Sequence, residues 1–116
     1  MHCDHITWKL VECVYGEIFW AGYDIRPSSK TFRNSVNVII NRSNHKQILI
    51  PPGVLSGFYV NSKEAVFYYR QSEIYEDSSN QVSVKWNDPA LGIRWPSKDP
   101  IVSERDSNAS LLKDII

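Results

Sequence analysis

Short runs of β-branched and aromatic residues, each cut off by turn formers, constrain the fold of this chain more than any other feature. Residues 9–14 (KLVECV) alternate in part, Tyr15-Gly16 offers a turn, and residues 17–25 (EIFWAGYDI) resume as an aromatic-rich strand. A Pro- and Ser-containing loop at residues 26–30 follows. Next comes the β-branched run 36–40 (VNVII), ended by NRSNH at residues 41–45. Residues 47–50 run into Pro51-Pro52-Gly53, a strong break. Residues 57–60 and 65–71 read as strands separated by NSKE, and residues 82–86 as a further strand. Asp88-Pro89 and Trp95-Pro96 mark irregular chain. Residues 108–116 are the one stretch with a helical pattern, and Ser110 could instead cap a shorter helix there. Such spacing predicts an all-β sandwich or barrel in one domain, with a short C-terminal helix. Phe19, Trp20, Phe58 and Trp95 are the expected core aromatics.

Composition narrows the function classes. Thirteen basic residues balance thirteen acidic ones, so the chain lacks the basic excess that nucleic acid or an anionic membrane surface demands. A hydrophobic fraction of 42% with 12% aromatics argues for a packed core rather than disorder. No apolar run is long enough to span a bilayer, no basic-then-apolar segment opens the chain, and two cysteines are too few for a disulfide scaffold. The expectation is a soluble, cytoplasmic domain with no nucleic-acid or membrane partner.

Residue chemistry alone does not name an activity. His2, Cys3, Asp4 and His5 look like a metal cluster on paper, but adjacent strand residues face opposite sides and only a subset could converge. Walker, dinucleotide-glycine and nucleophile-elbow patterns are all missing.

A resemblance goes further. Lys9-Leu-Val, Gly16-Glu-Ile-Phe, Tyr23-Asp-Ile-Arg-Pro, Ile50-Pro-Pro-Gly, Trp86-Asn-Asp-Pro-Ala-Leu-Gly-Ile-Arg-Trp-Pro and Val102-Ser-Glu-Arg-Asp occur in this order. Together they resemble the nucleotide-sugar 3,5-epimerases, whose type member is dTDP-4-dehydrorhamnose 3,5-epimerase. The match covers nearly the whole chain, and the Trp86 block is its most specific part. The opening His2-Cys-Asp-His-Ile-Thr-Trp-Lys looks closer to a branch acting on other nucleotide-linked deoxy sugars, heptoses included.

The resemblance implies a cupin-like double-stranded β-helix over residues 1–116, a homodimer, and no cofactor or metal. It also implies epimerisation at C3, C5 or both of a nucleotide-linked 4-keto-6-deoxy sugar, in the biosynthesis of cell-surface polysaccharide. A 4-keto group acidifies the neighbouring C–H bonds, so inversion needs a base on one face, an acid on the other and a cation for the enolate. By motif, His2 matches the family base, Asp106 the carboxylate that orients it, Lys9 the cation near the oxyanion, and Tyr69 the acid. Tyr68, its alternating neighbour, should face the other side of the sheet. Tyr75, Ser103 and Arg105 match positions expected to bind substrate.

The chain also departs from the family pattern. Ser56 stands where the family usually has a histidine, and Ile74 where it often has an aromatic that borders the substrate. The family's Arg-Gly-Leu-His motif is matched only by Met1-His2, so the domain is expected to lack the segment that precedes it. An alternative reading is a truncated remnant, or a non-catalytic sugar-binding or assembly subunit of the same fold.

Overall fold

A computed structural model describes residues 1–75 and 79–116. Eight strands dominate it: β1 (His2–Asp4), β2 (Lys9–Tyr15), β3 (Glu17–Asp24), β4 (Ser35–Asn41), β5 (Gln47–Ile50), β6 (Val54–Val60), β7 (Val66–Gln71) and β8 (Gln81–Ser83). They form a five-stranded sheet in the order β4-β3-β6-β1-β8 and a three-stranded sheet in the order β5-β2-β7. Every strand pairing described is antiparallel.

Strand β3, flanked by β4 and β6, is buried on both sides because both of its faces are apolar. Ile18 and Trp20 pack with Val11, Cys13, Ile40 and Ile50 between the two sheets. Phe19, Ala21 and Tyr23 face the other way, into a second core with Cys3, Leu55, Val84, Leu91 and Leu112. The C-terminal third of the chain therefore covers the outer face of the larger sheet. A strand buried on both sides reads as a continuous apolar run, which is what EIFWAGYD shows.

Glycine closes the β2–β3 turn for a steric reason. Gly16 has φ +74°, and a Cβ there would lie 2.1 Å from the carbonyl oxygen of Glu64. Asp24 anchors the loop that follows β3. Its carboxylate accepts from the Arg26 guanidinium and from the hydroxyls of Ser29 and Thr31, and those bonds hold its pKa far below the usual carboxylate range.

Three sequence expectations need correction. The C-terminal helix is not at residues 108–116. Among the described residues the single α-helical turn is α1 (Glu104–Ser107), and Leu112–Asp114 is one 3-10 turn. Ser110 caps nothing; it bridges Val84 in parallel, while Asp88 accepts from the Leu112 amide at 2.7 Å. These tethers fix an extended path, and nine residues are too few to nucleate a helix against them. Phe58 is not core: it is 46% exposed, stacked on Phe67 with ring centroids 4.3 Å apart. Strand β8 stops at Ser83 rather than residue 86, because Val84 and Lys85 turn their backbones to Met1 and Ser110. Phe19 and Trp20 are buried, and Trp95 is half-buried against Phe19 at 5.5 Å.

Candidate active site

A cavity of about 680 Å³ opens beside the facing sheets, within the size range that holds small-molecule ligands. Alternation decides which residues reach it. On the larger sheet, β6 and β1 pair Ser56 with His2, and β1 and β8 pair His2 with Ser83. These three residues form one row across the sheet, and Gly22 of β3 extends it beside Ser56. Trp20 lies over Gly22, whose own Cβ would meet the indole at 2.5 Å, and its Nε1 donates to Ser56 Oγ at 2.8 Å. On the smaller sheet, Lys9 and Val11 of β2 stand in register with Gln71 and Tyr69 of β7. Lys9, Val11, Phe67 and Tyr69 line the cavity, together with His2, Ser56 and Phe58 from the larger sheet.

His2 is the most elaborately held of these groups. Its Nε2 lies 2.5 Å from Asp106 Oδ1, and its Nδ1 lies 2.8 Å from Ser83 Oγ. Asp106 comes from α1, whose N-cap Ser103 accepts from the Asp106 backbone amide at 3.1 Å and fixes that turn against β1. Burial pushes the His2 pKa down, helped by the Met1 ammonium and by Arg105; Asp106 pulls it up but does not prevail. A lowered value leaves the imidazole neutral near neutral pH, the state a base requires.

The other expected residues divide by position. Lys9 makes no ion pair among the described residues, and it meets the cavity from the wall opposite His2. Tyr69 shares that wall, about half exposed, its ring 5.8 Å from Phe67. Tyr68 points away from the cavity, under the Arg70 guanidinium. Ser103 lines the cavity. Tyr75 and Arg105 do not line it. Tyr75 stands exposed after β7, and Arg105 donates to Gln81 Oε1 at 2.7 Å and to Ser83 Oγ at 3.2 Å. The paper metal cluster at residues 2–5 diverges. His2 faces the cavity, Cys3 is buried in the outer core, Asp4 accepts from the amides of Ile6 and Thr7, and His5 is exposed.

Comparison with known proteins gives this geometry a lineage. The family model described as dTDP-4-dehydrorhamnose 3,5-epimerase matches residues 1–114. The chain belongs to that family. Among its members, the enzyme of that name from Shigella flexneri is 39% identical over 106 residues, covering 91% of this chain and 58% of the relative. The one from Salmonella typhimurium is 43% identical over 105 residues, covering 90% and 57%. The crystal structure of the Elizabethkingia anophelis member superposes with a TM-score of 0.91 at 36% identity, over 97% of this chain and 64% of that one. The Legionella pneumophila member, solved in complex with dTDP-4-keto-L-rhamnose, gives 0.90 at 36% identity, over 99% and 62%. The fold is thus the cupin-like architecture of this family, and the chain spans a little under three-fifths of the length of the two curated relatives.

Sequence reasoning overlooked Ser83 and the stacked pair Phe58–Phe67. Ser83 is an ordinary serine in a short strand, and only the β1–β8 register places it against His2. Phe58 and Phe67 carried a signal, an aromatic in each of two strands, but the same signal marks core packing.

Proposed function

We propose that this chain carries the proton-transfer site of a nucleotide-sugar epimerase. In this reading it inverts C3, C5 or both in a dTDP-linked 4-keto-6-deoxy sugar of the kind used in cell-surface polysaccharides, and works as a homodimer. The observation that carries the reading is convergence. His2 with Asp106 approaches one cavity from the larger sheet, while Lys9 and Tyr69 approach it from the smaller one.

Neutral His2 takes the proton from the carbon beside the ketone, and the Asp106 carboxylate stabilises the imidazolium that forms. As the C–H bond breaks, charge moves to the C4 oxygen, where the Lys9 ammonium offsets it in a partly desolvated site. Tyr69 then delivers a proton to the opposite face of the enolate carbon, and the configuration inverts. A base and an acid on separate walls suit inversion; a single two-way base would return the proton to the face it left.

Mass spectrometry in heavy water tests the reading directly. The folded chain is incubated with dTDP-4-keto-6-deoxyglucose and with a 4-keto-6-deoxyheptose linked to GDP or CDP. Enzyme-dependent gain of one or two deuterons supports the assignment and counts the carbons exchanged. No gain on any of these sugars overturns it and leaves the reading of a non-catalytic subunit.

A further inference from the structure

A second cavity lies beside the first. It encloses about 510 Å³, and Trp20 and Gly22 of β3 line it together with Val36 and Val38 of β4. The first cavity instead takes Ser56, Phe58 and Val60 from β6. Strand β3 runs between β6 and β4, so the strip above β3 separates the two spaces. Gly22 pairs with Ser56 on one side and Val36 on the other, and Trp20 pairs with Phe58 and Val38. The indole therefore stands over the middle strand with a cavity on each flank.

We propose that the Trp20 indole is the end wall of the sugar site, a specificity-determining side chain that fixes how large a substituent the sugar can carry where it meets Ser56. The proposal deepens the reading of the first cavity as a nucleotide-sugar site and rests on it for the identity of the ligand.

The wall is one side chain thick and is held at both ends. Its Nε1 donates to Ser56 Oγ at 2.8 Å, and Ser56 lines the first cavity while Trp20 lines the second. The far edge of the ring lies over Gly22, where a Cβ would meet the ring carbon Cη2 at 2.5 Å, so the flat indole needs a glycine beneath it. Glycine inside a strand weakens it, and filling the core alone would be better served by a smaller side chain above an alanine. Ile50 packs in the same cluster as Trp20 and lines both cavities, closing the partition from the opposite sheet.

The polar end of the wall faces the sugar. A tryptophan N–H only donates, so it occupies one lone pair of Ser56 Oγ and leaves the hydroxyl hydrogen and the other lone pair to the first cavity. Past that hydroxyl, the indole stands over the next strand, about 4.8 Å away. A methyl or hydroxyl group ends within that span, and a longer chain runs into the ring.

The test measures binding rather than turnover. Wild-type protein, Trp20→Phe and Trp20→Leu, each shown to be folded by circular dichroism, are titrated calorimetrically with dTDP-6-deoxyglucose and with analogues lengthened by one or two carbons at C3 or C5. At the position that meets the wall, lengthening should weaken wild-type binding by about 10- to 200-fold, the range for a misfitted methylene group. Trp20→Leu should remove at least about tenfold of that penalty and Trp20→Phe a smaller part. An equal penalty in all three proteins, or none in the wild type, overturns the proposal. Crystals of Trp20→Leu under xenon pressure read the wall with no sugar present. Xenon in the vacated space, continuous with both cavities, is expected; a collapsed space that keeps them apart overturns the proposal. Should Trp20→Leu not fold, Trp20→Phe carries both measurements. A wild type that does not bind dTDP-6-deoxyglucose would instead overturn the nucleotide-sugar reading, while the xenon result still decides the wall.

Discussion

Replacing Asp106 by Asn removes one charge and little else. The Asn side chain has nearly the same shape, and the cap from Ser103 to the backbone amide of residue 106 does not depend on it. What is lost is a charge-assisted hydrogen bond of 2.5 Å to the His2 ring. Such bonds contribute about 1.5–3 kcal/mol, equivalent to roughly 10- to 150-fold in rate when they act on the protonated state alone. The side chains of His2 and Asp106 are 26% and 32% exposed, so solvent screens part of this and a fall in kcat of about 10- to 50-fold is expected. The sign of the pH effect is fixed as well. Asp106 raises the His2 pKa, so its neutralisation lowers that value further and the acid limb of the kcat/KM profile shifts to lower pH. Steady-state rates across a pH series, with circular dichroism as the folding control, measure both effects. A plateau rate equal to wild type, or an acid limb displaced to higher pH, would refute the pairing as a functional device.

Other perturbations test other parts of the account. Lys9→Met should leave the fold intact and lower kcat by about 10²- to 10³-fold, the usual cost of removing an oxyanion partner, read from product formation. Gly16→Ala should lower stability by at least about 2 kcal/mol in urea unfolding, because it combines a left-handed backbone with a collision on the Glu64 carbonyl. Folding holds the His2 pKa below its ordinary value of 6.5, so the stability it confers is full above that value and is lost as pH falls through the folded pKa. His2→Gln should therefore show a smaller drop in Tm than wild type on acidification from about pH 7.5 to about pH 5, by differential scanning calorimetry.

The fold was readable where local and long-range requirements agree. The run EIFWAGYD is a strand by propensity and buried on both sides by its two apolar faces, and Gly16 and Pro51-Pro52-Gly53 end their strands for reasons that single residues carry. The pattern failed where contacts made far along the chain decide. Strand β1 is three residues long and exists because β6 and β8 flank it. Residues 108–116 are drawn out by Val84, Lys85 and Asp88. At the site, the family motifs pointed to His2, Lys9, Tyr69 and Asp106, because their order along the chain is itself the signal. Arg105, a position expected to bind substrate, donates here to Gln81 and Ser83, since one helical turn sends adjacent side chains in different directions. No motif encodes Ser83, which acquires its place from strand register alone.

The central claim is that His2 and Tyr69 act on opposite faces of the same carbon. Comparing deuterium wash-in with product configuration for Tyr69→Phe and His2→Ala, in heavy water on one nucleotide-linked 4-keto-6-deoxy sugar, tests it most directly. The account predicts that Tyr69→Phe still exchanges protons at the substrate carbons but yields little inverted product, while His2→Ala does neither. Inversion at the wild-type rate in Tyr69→Phe, or undiminished exchange in His2→Ala, would contradict it.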